Sequence, residues 1–228
     1  MNISLNMAAI DWRQHGTFSL ISSLRKYLES MEAQIESLYR DKRKDLKKVF
    51  ANFLTTEDGI GEYRTHVQHL EDQYELNLKV IMRYSFVVSA HIIFETRLIA
   101  FCDEVWKEKS LEFQIKDFKQ DKKSQKSKGL VERARKYLTN HAKLDFGGMP
   151  AWCRLMNLQK VRNCIVHTNG FVDKCWDCDY LKYLAGKKCG ISLDDDGRLL
   201  LSDDFCRQNL DDLEVFFRDV FERAGWKV

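Results

Sequence analysis

Three residues in the segment Val161-Arg162-Asn163-Cys164-Ile165-Val166-His167-Thr168-Asn169-Gly170 suit chemistry on a phosphate: Arg162, Asn163 and His167. An imidazole titrates near neutral pH and can both take and give protons. A guanidinium is a permanent cation whose fork matches phosphate oxygens. The Asn163 amide can orient the phosphate or the imidazole. On an α-helix Asn163 and His167, four apart, share a face. Arg162, five before His167, is about 140° round and about 7.5 Å along the axis. It falls beside Leu158 and Ile165, the side that should face other protein. An arginine there needs a carboxylate, a subunit interface or a bound anion to offset its removal from water. Glu95, in an apolar stretch upstream, is the best intramolecular carboxylate. A reading without chemistry fits the same residues: Arg162 pairs with Glu95, and His167 caps carbonyls near a helix C-terminus.

The arrangement R-N-x-x-x-H over Arg162–His167 resembles the signature of the HEPN superfamily. The surroundings are similar too: Trp152 and Leu155 open the same helix, Thr168-Asn169-Gly170 follow the histidine, and Phe94-Glu95 lie on an upstream apolar helix. A Leu-rich hairpin and an aromatic helix close the chain, as in several bacterial HEPN families, so that the resemblance covers roughly residues 75–225. It implies a metal-independent endoribonuclease without cofactor, in a toxin–antitoxin or phage-defence setting, with an antitoxin or sensor protein as further partner. In that chemistry a ribose 2′-hydroxyl attacks its own phosphate, which requires a base, an acid and positive charge against the phosphoryl oxygens. One chain supplies one such histidine, so the expected enzyme is a homodimer with a composite cleft acting on RNA. Within it His167 transfers protons, Arg162 stabilises the phosphate, Asn163 positions, and Glu95 supports from behind. Some HEPN relatives carry a modified tyrosine two residues after the histidine; here that position is Asn169, and that regulation is not carried over. The rival reading is a non-catalytic helical module that binds a protein or nucleotide partner.

Other candidate groups carry less. Cys175-Trp176-Asp177-Cys178 has zinc-like spacing with Cys189 beyond it, but a fourth ligand would have to be Cys206 or His167. Ordinary reduced thiols and no metal are the expectation, and no βαβ context supports redox chemistry. His66 and His69 read as surface residues, and His91 as a core histidine. The run Lys119–Lys128 holds five lysines and no apolar residue and reads as a solvated loop. Arg40–Lys48 reads as a solvated helix face with local ion pairs, which can extend an RNA path. There is no Gly-rich phosphate loop, nucleophile elbow or H-E-x-x-H.

The elements that must position these residues are helical. One proline, Pro150, and 11 glycines in 228 residues leave few helix breakers. Lys and Arg total 37 against 34 Asp and Glu, a balance too even to argue nucleic-acid binding by itself. Seven cysteines form an odd set, and residues 1–16 hold no apolar signal segment, which points to reduced thiols in the cytoplasm. The stretch Val80–Cys102 is broken by Arg83, His91, Glu95 and Arg97 and reads as a core helix rather than a membrane span. Apolar steps predict a long helix over about 18–54, a glycine-containing break at 55–61, and a second long helix to about 107 with Tyr74, Leu78, Ile81, Val88, Ile92 and Ile99 on one face. The two read as an antiparallel hairpin. A short helix over 129–141, a turn at 145–150, a helix ending at Asn169-Gly170, a hairpin 191–193/199–201 and a last helix capped by Ser202 or Asp203 complete the chain. The predicted fold class is all-α: a HEPN-like helical bundle over 61–228, a long N-terminal helical arm over 1–60, and a small C-terminal β-hairpin.

Overall fold

The computed structural model describes residues 12–118, 129–187 and 189–226; the lysine run at 119–128 lies outside them. The fold is all-α with one two-stranded sheet. Its helices are α1 (Trp12–Val49), α2 (Glu57–Glu71), α3 (Lys79–Lys109), α4 (Leu130–Tyr137), α5 (Pro150–Thr168), α6 (Cys178–Gly186) and α7 (Asp203–Arg223). Strands β1 (Ile191–Leu193) and β2 (Leu199–Leu201) pair antiparallel, Ile191 opposite Leu201 and Leu193 opposite Leu199.

The described residues form two compact units. The first draws on residues up to Ser23, Ser89–Asn163 and from Arg207 onward; the second on Leu24–Val88 and Cys164–Cys206. The first has an aromatic core in which Phe94 meets Trp152 and Phe216 edge-on at 5.9 and 5.5 Å. Edge-to-face packing sets each ring's positive rim against its neighbour's negative face. Helices α5 and α7 line this core: Leu155, Leu158, Val161, Leu210, Leu213, Phe216, Phe217 and Phe221 are all buried.

The second unit contains the predicted antiparallel hairpin. Arg83 Nε donates to Glu32 at 2.7 Å, Tyr39 Oη to Glu71 at 3.1 Å, and Phe50 packs on His66 at 5.3 Å. Later residues of α1 thus meet earlier residues of the second helix. The break between them lies earlier than expected, α1 ending at Val49 and α2 starting at Glu57. Thr56 caps α2, its hydroxyl accepting from Gly59 N at 3.2 Å, so Gly59 and Gly61 lie inside the helix. A Cβ on Gly59 would stand 1.9 Å from the Phe53 carbonyl oxygen, which is why that first turn takes glycine.

The buried face of α3 differs from the expected one. Ile81 and Ile92 are more than half exposed, whereas Val80, Tyr84, Val87, His91, Phe94, Leu98, Phe101 and Val105 are buried. These recur at steps of three and four. Between α2 and α3 the helix widens to π geometry over Asp72–Leu78, and each wide turn shifts the angular register. A face counted forward from Tyr74 therefore lands on the wrong side. By length and composition the helix Glu57–Lys109 could cross a membrane. Two of its interrupting charges have partners in the protein: Arg83 reaches Glu32 and the Leu201 carbonyl, each at 2.7 Å, and Arg97 Nε reaches Thr17 at 2.9 Å.

Candidate functional site

Helix α5 carries the whole R-N-x-x-x-H segment. Pro150 starts it, where a missing N–H costs nothing. Leu155, Leu158 and Val161 anchor it in the first unit's core, and Ile165 is buried in the second unit. Its C-terminus is closed by local chemistry. Thr168 Oγ1 donates to the Cys164 carbonyl at 2.7 Å, Gly170 N donates to the same oxygen at 3.2 Å, and Asn169 and Gly170 take φ of 54° and 84°. His167 is exposed on the last turn and, among the described residues, takes no part in that cap.

The chain beyond α5 is held by the hairpin. Tyr84 Oη donates to the Leu199 carbonyl at 2.7 Å, and Leu199 N donates to the Gly170 carbonyl at 3.0 Å. A Cβ on Gly170 would stand 2.0 Å from Tyr84 Oη, so only glycine fits between the turn and the phenol. Burial pushes the Tyr84 hydroxyl up to about 12, which keeps it protonated and donating.

Arg162 and Asn163 are half-buried in the first unit. Arg162 Nη1 donates to Asn163 Oδ1 at 3.1 Å. Its Nε is sealed from solvent and has no hydrogen-bond partner. The expected Glu95 partner is absent: Glu95 is half-buried on α3 and forms no ion pair with Arg162. One helical turn before Glu95 on α3 stands the core histidine expected from the sequence. His91 is 4 % exposed, and its Nε2 also has no partner. Burial, and then the charge of Arg162, push the His91 imidazole down to about 4. It is therefore neutral at physiological pH.

Arg154, eight residues before Arg162 on α5, has a different environment. It grips Asp212 through Nε at 2.8 Å and Nη2 at 2.7 Å, and that carboxylate is 2 % exposed. One arginine of the helix has a carboxylate of its own; the other is bonded to the neutral amide of Asn163.

The cysteines do not assemble a metal site. Cys189 Sγ turns to the Leu184 carbonyl at 3.3 Å, and among the described residues no three His, Cys, Asp or Glu side chains converge on one point. The zinc alternative of Cys175, Cys178 and Cys189 is set aside on that geometry. The neighbour of Cys175 and Cys178 is instead Cys164. Burial pushes its thiol up to about 11 against the opposing hydrogen bond with Thr168, leaving it a poor nucleophile at neutral pH. His66 and His69 are exposed, and Arg40–Lys48 is an exposed face with ion pairs such as Lys48–Asp45 at 3.1 Å.

No family model, curated protein or solved structure matches the chain. What its residues can do is set by their own chemistry.

One surface escaped the sequence reading. Trp176 is fully exposed, Tyr183 is 57 % exposed, and Tyr180 lies 6.2 Å from Tyr183. Lys187 stands over the Tyr183 ring at 4.9 Å, and Lys174 over Phe171 at 4.8 Å. The aromatics at 176, 180 and 183, interleaved with lysines at 174, 182 and 187, were the available signal.

Proposed function

We propose that the chain is a metal-independent endoribonuclease of HEPN type, acting as a homodimer in which two copies of the α5 motif face one substrate. The observation that carries this reading is the contrast on α5. Arg154 is neutralised by Asp212, while Arg162, half-buried, has no carboxylate among the described residues. A desolvated guanidinium with a full charge calls for an anion, and its planar fork favours a phosphate. His167 adds an exposed imidazole that the helix cap does not use.

In the proposed reaction His167 of one protomer removes the proton from the ribose 2′-hydroxyl, and the same residue of the partner protonates the departing 5′ oxygen. The two Arg162 side chains offset the charge gathering on the phosphoryl oxygens. Asn163, already bonded to Arg162, fixes the fork. Trp176 and Tyr183 supply rings on which unpaired bases can stack. A toxin or phage-defence role, with an antitoxin or sensor as partner, follows from the same family reading.

The test is incubation of purified protein with total RNA in EDTA, beside Arg162→Ala and His167→Ala. Wild type alone should cleave, leaving 2′,3′-cyclic phosphate and 5′-hydroxyl ends that a kinase labels directly. Full activity in His167→Ala defeats the assignment. Inertness of all three favours the non-catalytic module, for which the exposed Trp176 and Tyr183 would be the contact surface.

A further inference from the structure

The last turns of α1 and the turn that follows combine unpaired charge with exposed apolar groups. From Arg40 to Leu54 the chain carries six basic residues against two acidic ones. Three of the cations are paired along the helix: Arg40 with Glu36, Lys44 with Asp41 and Lys48 with Asp45. Lys42, Arg43 and Lys47 are exposed and have no ion-pair partner among the described residues. The next acidic pair, Glu57 and Asp58, belongs to the first turn of α2, where the helix dipole favours it.

The apolar side chains lie in the same stretch. Val49 is 69 % and Phe53 60 % exposed; of the large apolar side chains described, Trp176 alone is more so. Lys42 and Val49, seven apart on α1, share a face. Ala51 and Leu54 line a shallow recess with Lys44, Lys47 and Lys48. Phosphates along a nucleic acid would satisfy the cations but leave the aliphatic groups in water. A second copy of the chain would set like charge against like charge. A bilayer surface with acidic headgroups meets both demands, because the headgroups take the cations and the acyl boundary takes apolar side chains.

We infer that this end of α1 docks on anionic lipid membranes, with Lys42, Arg43 and Lys47 against the headgroups and Val49 and Phe53 among the upper acyl chains. The contact is peripheral, and it does not depend on the reading of the α5 motif. Each cation close to such a surface strengthens binding on the order of fivefold, and salt screens that attraction.

Sedimentation of the full chain with phosphatidylcholine vesicles, with and without about one-third phosphatidylglycerol, tests it. Wild type should pellet with the anionic vesicles, stay in solution with the neutral ones, and be released from the former as salt rises. Combining Lys42→Glu, Arg43→Glu and Lys47→Glu should weaken binding by about a hundredfold. Combining Val49→Ser and Phe53→Ser should weaken it by about tenfold or more. All five side chains are exposed, and thermal melts check that both variants are folded. The serine pair separates lipid from RNA: a mere RNA path would lose single-stranded RNA on charge reversal, keep it with the serines, and bind no vesicles. Wild type that fails to pellet with anionic vesicles, or pellets equally with neutral ones, overturns the inference. So does wild-type affinity in either folded variant.

Discussion

At the scale of single residues, the environments of His91 and Asp212 lead to stability predictions. The His91 imidazole is lowered from its ordinary 6.5 to about 4, chiefly by burial and then by Arg162. Between those values the unfolded chain binds a proton that the folded chain refuses, so stability falls as pH falls through that window. At pH 4.5 the loss from this residue should reach ~2.5 kcal/mol relative to pH 7. Denaturant unfolding at both pH values checks it: the difference should shrink by about that amount in His91→Gln, and an unchanged difference would contradict it. For Arg154 the prediction concerns the group left behind. Arg154→Ala strands Asp212, which is 2 % exposed and then keeps only Gln208 Nε2 at 3.2 Å among its described side-chain partners. The expected loss is roughly 2 kcal/mol, below that of a wholly buried pair because Arg154 is half in water. Chemical denaturation at neutral pH measures it.

At the scale of elements, the segment joining α5 to the hairpin allows a sharp expectation. Gly170→Ala must combine a φ of 84° with a Cβ 2.0 Å from Tyr84 Oη. The predicted destabilisation is about 3 kcal/mol, or roughly 10 °C in Tm for a chain of this size. A melt within 2 °C of wild type, a threshold of about 1 kcal/mol, would show that the turn relaxes. Elements whose ends are written in local chemistry were legible in the sequence. Pro150 opens α5, Asn169-Gly170 closes it, and Ser202 Oγ accepts from Phe205 N at 3.1 Å at the start of α7. What depends on angular register was not legible. Helix α3 is apolar on several sides, and the π segment before it rotates the pattern, so the buried face was placed on Ile81 and Ile92. The same difficulty governs the partner of Arg162. Charge complementarity points to Glu95, but the half-buried Glu95 makes no ion pair with Arg162, whose side-chain bond goes to Asn163. Helix α6 was missed because nine residues that include a cysteine and two tyrosines carry too short a periodic signal.

At the scale of the whole molecule, the all-α class was readable because helix breakers are scarce and the apolar steps are long. The two units, however, are each assembled from separated stretches of chain, which no local pattern announces. The boundaries fall inside α1, α3, α5 and α7, at residues 23/24, 88/89, 163/164 and 206/207. Each of these helices therefore contributes a segment to both units. Neither unit corresponds to a contiguous gene fragment, and melting one would fray four helices that the other also requires. Differential scanning calorimetry should accordingly record one endotherm, with calorimetric and van't Hoff enthalpies in agreement; two resolved peaks would mean that the shared helices can break midway. For the α5 motif this has a mechanical meaning. Arg162 and Asn163 belong to one side of the boundary and His167 to the other, so a local opening that parts them has to interrupt the backbone ladder of α5 itself.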